Sequence, residues 1–258
     1  MNFDYFWCTK PYIDDFTNGE FVGFKLFDAT HLTELAVLAA VAVVMGLLYH
    51  RMGEKARRNT LNVIAALCIA DELFKHIGCL AVDQYSWGYL PLHLCSINIF
   101  VILAYVIKPS DLKAEILYAL SIPGAAIALI SPSWTKLPLL NFMHLHSYTI
   151  HLLLVLFPIL LLAGGFRPSY KRLPKVLLCL ACAAAFIYPL NKLLDTNFMF
   201  LNGTDNNPIL VFFENIFGNP GYLIGLPILL VVIWTLMYLP WIISDRRRAK
   251  KASAAAAE

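Results

Sequence analysis

Seven long apolar runs alternate with short polar segments along the chain. Each run is close to the roughly 20 residues that a helix needs to cross a bilayer. Prolines inside four of the runs predict kinks, which neighbouring helices tolerate in lipid. The pattern therefore predicts an all-α, polytopic membrane helix bundle of about seven transmembrane helices. We place them at 31–49, 61–80, 90–107, 114–131, 145–163, 174–191 and 221–243.

Lysines and arginines fall on alternate sides of these runs. Membrane proteins keep such residues in their cytoplasmic loops, so the distribution predicts an N-terminus outside and a C-terminus in the cytoplasm. Residues 1–30 are then extracytoplasmic, 31–243 form the transmembrane domain, and 244–258 are a basic cytoplasmic tail. The basic side carries Arg51, Lys55, Arg57, Arg58, Lys108, Lys113, Arg167, Lys171, Arg172, Lys175, Arg246, Arg247, Arg248, Lys250 and Lys251; the opposite side carries Lys10, Lys25, Lys136 and Lys192.

The composition agrees with this class of protein. Apolar residues make up 59% of the 258 residues and charged residues 14%, against about 25% charged in an average soluble domain. The basic tail of a chain with a net charge of only +3 predicts contact with membrane lipids, not nucleic acid. No zinc-type cluster or glycine-rich phosphate loop occurs, so we expect neither a metal nor another cofactor. We therefore expect the protein to lie in the cell (plasma) membrane.

Four titratable residues lie within six positions of the second run: Asp71, Glu72, Lys75 and His76. A charge inside a membrane costs about 2.5–3.5 kcal/mol even on insertion scales, so the group requires an explanation. Spacings of i,i+3 and i,i+4 let each acid reach a base one turn away. The group is either a self-neutralised structural network or a polar pocket that faces the interior of the bundle.

Other polar residues reach a similar depth from three further runs. With a rise of about 1.5 Å per residue, His93 and Cys95 lie within two turns of the outer surface, and His151 and Asn191 lie near the same level. Together with the charged group of the second run they converge on the outer half of the membrane. This convergence predicts one intramembrane pocket. His144 and His146 are reserve candidates at the outer interface, where a hydrated histidine costs little.

The stretch Trp87–Phe100 holds the most specific candidate chemistry. Pro91 suits the first turn of a helix, and residues i and i+2 of a helix do not face each other. A regular helix from Pro91 onward would therefore keep His93 from deprotonating Cys95. Either the first turn is irregular, or a base such as His151 or the Glu72/His76 pair comes from another span.

Three stretches resemble, in order and spacing, the YwaF-type bacterial integral membrane proteins: LPLHLC (90–95), HLLLVLFPILLLAGGFRPS (151–169) and NKLLDTNFMFL (191–201). That family is remotely similar to a eukaryotic transmembrane acyltransferase that moves fatty acyl chains onto ether phospholipids through a cysteine. The resemblance implies that Cys95 is the nucleophile and that His93 or His151 is the general base. The remaining candidates are expected to bind the substrate or to stabilise its oxyanion: Asp71, Glu72, Lys75, His76, Asn98, Asn191 and Asn197.

Three functions are compatible with these residues. The leading hypothesis is a lipid-acyl transferase, or a lipid hydrolase, that works through a Cys95 thioester in the outer half of the membrane. The alternatives are a small-solute or proton-coupled transporter or receptor that uses the same pocket, and a non-catalytic membrane scaffold. Membrane lipids and an acyl substrate are the expected partners. The sequence does not fix the oligomeric state.

Overall fold

The computed structural model describes residues 5–205 and 207–255, and within them it contains helices, turns and loops but no β-strand. The chain divides into two compact units, Met1–Phe166 and Arg167–Glu258. The longer helices are α1 (Ala29–Arg51), α2 (Glu54–Ala81), α3 (Leu94–Ile107), α4 (Asp111–Ile130), α5 (Phe142–Ala163), α6 (Leu173–Leu194), α7 (Pro208–Phe217) and α8 (Gly225–Ala255).

All seven predicted runs are helical, and the all-α class is confirmed. Five helical segments in the described part of the chain are long and apolar enough to cross a membrane: Ala29–Arg51, Asp111–Ile130, Phe142–Ala163, Tyr170–Leu194 and Gly221–Ala249. The two other predicted spans differ from these for physical reasons. α2 carries the charged group of residues 71–76, and α3 has 14 residues, or about 21 Å of helix against a hydrocarbon core of about 30 Å. Seven crossings and their orientation stay predictions.

In the first unit, α5 packs against α1, α2, α3 and α4. Its apolar side chains Leu154, Phe157 and Leu160 are fully buried in the main hydrophobic cluster. Gly78 of α2 allows a close approach, because a Cβ added there would lie 2.6 Å from Cε2 of Phe142. α5 is therefore the helix around which this unit is built.

The third run begins later than the sequence predicts. α3 starts at Leu94, not at Pro91, and residues 91–93 form a turn ahead of the helix. Leu90 is extended, with ψ 146°, as the ring of a following proline favours. His93 is also extended and is the N-cap residue of α3. The irregular geometry considered as an alternative is therefore the one found.

The N-terminal segment, from Tyr5 onward, packs over the end of this unit where α2 ends and α3 and α5 begin. The side-chain nitrogen of Asn141 donates to the carbonyl oxygens of Tyr5 and Cys8, 2.7 Å away in each case. Its oxygen accepts from the backbone N–H of Met143 and His144 and so caps α5. One side chain thus fixes both the start of α5 and the N-terminal segment across it.

The second unit contains α6, α7 and α8. Asp195, the residue after α6, is in the left-handed conformation, and a tight turn, Phe198–Phe200, follows. α7 has 10 residues, and the side chain of Asn207, the residue before it, caps it.

Candidate functional site

Three histidines project from the first three turns of α5, and two of them pair with acids from neighbouring helices. His144 Nε2 lies 2.9 Å from Glu34 Oε1 of α1, and His146 Nδ1 lies 2.8 Å from Asp71 Oδ2 of α2. The second contact is within ion-pair range, although its direction is not that of a hydrogen bond. The expectation that both histidines lie hydrated at the interface is wrong, because they are 2% and 7% exposed.

The charged group of α2 forms a buried network. Glu72 Oε1 lies 2.5 Å from Lys75 Nζ and 3.3 Å from His76 Nε2. Asp71 does not join this network but turns towards His146 of α5. Outside the helix, the ring of Tyr85 lies beside His76, at 5.7 Å between centroids, and burial raises the pKa of the Tyr85 phenol. One acid therefore pairs with two residues of its own helix, and the other links two helices.

His151, the third histidine of α5, is held in one tautomer. Its Nδ1 lies 2.6 Å from the carbonyl oxygen of Ser147, and because a carbonyl only accepts, Nδ1 carries the hydrogen. The indole of Trp134 stacks on the ring at 5.4 Å and 15°. Ser147 and Trp134 thus orient this imidazole. Its Nε2 is left with a lone pair, as a general base requires.

Cys95 lies in the first turn of α3, one residue after Leu94. It is partly buried and packs against the main hydrophobic cluster. Among residues 5–205 and 207–255, no side chain hydrogen-bonds to its sulfur. Asn98 is three residues further on, and so on the same helix face. Its Oδ1 is buried without a hydrogen-bond partner in the described chain.

The electrostatic neighbours of these side chains connect the candidates of α2, α3 and α5. His151 interacts with His146 and with His93, the residue that precedes α3. His146 interacts in turn with His76 of α2. The structure therefore brings His76, His93, His146 and His151 near one another in the first unit. In the described chain it shows no group of three or more metal-ligating side chains.

Asn191 and Asn197 belong to the second unit, where their amides organise one loop. Asn191 Oδ1 accepts from the backbone N–H of Phe198 at 2.8 Å, and its nitrogen donates to the carbonyl oxygen of the same residue at 2.9 Å. Asn197 Oδ1 accepts from the N–H of Asn202 and of Gly203. Both amides thus hold the turn that follows α6, and their expected contact with substrate stays a prediction.

Sequence reasoning missed a second buried polar group. Glu34 lies within the first apolar run, Tyr148 lies one turn after His144, and Trp134 precedes α5. The Tyr148 ring lies 4.9 Å from that of His144 and 5.6 Å from that of Trp134. The signal was present, since Glu34 is an acid inside a membrane run, which is the criterion that selected Asp71 and Glu72.

Comparison with known proteins agrees with the membrane architecture. A family model described as the TMEM164 family, a family of transmembrane proteins, matches residues 26–238. No curated protein and no solved structure matches the chain. The matched range includes both groups of buried acids and histidines, the Cys95 turn and the loop held by Asn191. The chain therefore belongs to the TMEM164 family.

Proposed function

We propose that this membrane protein is a lipid-acyl transferase that carries the acyl chain as a thioester on Cys95. The observation that carries the proposal is the placement of Cys95 in the first turn of α3, in a unit where the partly buried His151 presents a nitrogen lone pair. A helix N-terminus favours a thiolate, because unpaired backbone N–H groups and the helix dipole stabilise negative charge there. The resemblance to the YwaF-type proteins, and through them to an ether-phospholipid acyltransferase, points to the same cysteine.

The first half-reaction loads the enzyme. Nε2 of His151 takes the proton of the Cys95 thiol, and the sulfur attacks the carbonyl carbon of a lipid ester. A carbon–sulfur bond forms and the carbon–oxygen ester bond breaks. The imidazolium returns its proton to the departing alkoxide, which leaves as the deacylated lipid. His93 is the alternative base, since it is the residue just ahead of the helix that bears the cysteine.

The second half-reaction unloads the thioester. The hydroxyl of an acceptor lipid gives its proton to His151 and attacks the thioester carbonyl. The carbon–sulfur bond breaks, a new ester forms, and Cys95 recovers the proton. Water as the acceptor would give the hydrolase. The sum exchanges one ester for another and needs neither oxidant nor metal ion.

Asn98 is the side chain best placed to stabilise the oxyanion. It lies on the Cys95 face of α3, is 1% exposed, and is an amide whose nitrogen is a donor. A donor that meets an oxyanion in a dry site accounts for about 2.7–4 kcal/mol of the barrier. The Asp71–His146 pair and the Glu72 network then stabilise the surrounding helices and bind the polar part of the lipid.

The test is to incubate the purified chain with phospholipid that carries a radiolabelled acyl chain. The wild type should retain label that neutral hydroxylamine removes. Cys95→Ala should retain none, and Cys95→Ser should retain at most an ester that resists neutral hydroxylamine. Cys182→Ala, which alters an exposed free thiol of α6, is the matched control and should label like the wild type.

His151→Gln separates the base from the nucleophile. We expect it to slow acylation by about 10²–10⁴-fold, the range that general base catalysis contributes, without removing the reactive thiol. Equal labelling of wild type and Cys95→Ala would refute the thioester mechanism. Flux of a solute into sealed vesicles without any adduct would instead favour the transporter.

A further inference from the structure

An apolar groove opens between α1 and α2, with α5 as its floor. Its volume is about 450 Å³, within the range of about 300–1,000 Å³ that small-molecule sites occupy. Val41 and Met45 line one wall, Val63 and Leu67 the other, and Leu152 lies at the bottom. Val63 and Leu67 are 57% and 49% exposed. The α2 residues that line the groove all precede Asp71 in the helix, so the groove is separate from the acid–histidine groups described above.

One end of the groove is polar. Asn59 and Thr60 complete the α2 wall. The Thr60 hydroxyl donates to the carbonyl oxygen of Ala56 at 3.0 Å, while the exposed Asn59 amide makes no side-chain hydrogen bond in the described chain. From Asn59 to Leu67 the wall extends for eight residues, or about 12 Å of helix. An apolar groove with a hydrogen-bonding group at one end matches the shape of an amphiphile.

The charge at this end is positive. Lys55 is four residues before Asn59, so it lies one turn further along the same face of α2. It is exposed and has no ion-pair partner among the described residues. Arg57 is different, because its guanidinium donates to the carbonyl oxygens of Tyr49 and His50. Lys55 is therefore the cation that this face of the helix offers to an anion beside the groove.

We propose that the groove binds one phospholipid with a net negative headgroup. One acyl chain lies between α1 and α2, and the phosphate lies at Lys55 and Asn59. Basic residues next to membrane helices attract anionic headgroups, and each contributes about 1 kcal/mol, which corresponds to about a fivefold change in affinity. The site is independent of acyl transfer, since none of its residues belongs to the proposed reaction.

Native mass spectrometry of the full-length chain in detergent tests this site. The probes are phosphatidylglycerol and phosphatidylcholine with identical acyl chains. We expect phosphatidylglycerol to bind at least fivefold more tightly. Lys55→Gln should weaken its binding about fivefold, and Val63→Trp, which fills the groove, should weaken it at least tenfold.

Two variants serve as matched controls. Lys171→Gln removes an exposed lysine from another loop, and Val44→Trp adds an indole to an exposed position of α1 that does not line the groove. Both should bind as the wild type does. Equal binding by Val63→Trp and Val44→Trp would overturn the proposal, as would equal affinity for the two lipids that Lys55→Gln leaves unchanged. A dimer that Val63→Trp dissociates would assign the groove to a second copy of the chain.

Discussion

The buried pair of Glu72 and Lys75 gives the sharpest quantitative prediction. The two atoms lie 2.5 Å apart, and the side chains are 8% and 7% exposed. Removing one partner of such a pair leaves a buried charge without compensation, at a cost of about 3–5 kcal/mol. Glu72→Gln should therefore destabilise the fold by that amount. Lys75→Met should cost less, about 1–3 kcal/mol, because His76 still lies 3.3 Å from the carboxylate.

The double variant Glu72→Gln/Lys75→Met buries neither charge. Since replacing a whole buried ion pair is often nearly neutral, we expect the double variant to be more stable than Glu72→Gln alone. Unfolding by SDS in mixed micelles, followed by circular dichroism, measures the free energy of unfolding of each variant. With a nearly neutral double variant the coupling energy between the two positions equals the sum of the two single losses, about 4–8 kcal/mol, which is above the range of about 0.5–3 kcal/mol that residues in contact usually show.

An exposed pair of the same geometry supplies the control. Lys136 Nζ and Asp14 Oδ2 are also 2.5 Å apart, but the side chains are 51% and 59% exposed. Solvent screens such a pair, so Lys136→Met should cost at most about 1 kcal/mol. Burial is not the source of the stability that the Glu72–Lys75 pair contributes if Glu72→Gln costs no more than Lys136→Met. The same refutation follows if the loss of stability in the double variant equals the sum of the two single losses.

Two further predictions concern packing and titration. Gly78→Ala should cost about 1–3 kcal/mol in the same unfolding assay, because its Cβ would meet the buried Phe142 ring. Gly46→Ala is the control and should be neutral or stabilising, because its Cβ would lie 3.7 Å from the nearest contact. Equal effects of the two variants would contradict the close packing of α2 on α5. Burial, and secondarily Asp15, raises the pKa of the Cys8 thiol to about 11, so its alkylation by iodoacetamide, followed by mass spectrometry, should stay slow at pH 8 and rise towards pH 11. Asp15→Asn should move that midpoint to lower pH, and a midpoint near pH 9 in the wild type would refute the buried thiol.

The sequence predicts the helices well and their contacts poorly. Length and hydropathy suffice to locate a membrane helix, and all seven predicted runs are helical. The fixed helical rise also predicts a similar depth for Glu72, His93 and His151, and that depth stays a prediction. Length and hydropathy do not predict how each helix is rotated about its own axis. Asp71 was expected to pair with Lys75 of its own helix, yet it contacts His146 of α5, since the partner depends on which face of α2 meets α5.

Local backbone chemistry explains the other difference. Pro91 is acceptable in the first turn of a helix, but it also favours an extended residue before it, and here the chain forms a turn until His93. The delay of three residues moves Cys95 into the first turn of α3. Regular helical spacing, which would keep His93 from reaching Cys95, therefore does not describe this stretch. Both a helix from Pro91 and a turn up to His93 are compatible with the sequence.

The spacing of the three α5 histidines explains how one helix serves both structure and chemistry. At about 100° per residue, His144 and His146 point about 160° apart, so one meets Glu34 of α1 and the other meets Asp71 of α2. Lipid supplies no hydrophobic force between helices, and such polar contacts fix their rotation instead. His151, seven residues after His144, points within about 20° of the same direction, and its electrostatic neighbours are His146 and His93. Its ring is stacked on Trp134 and has no acid of its own to hold a proton, which suits a neutral imidazole that accepts one.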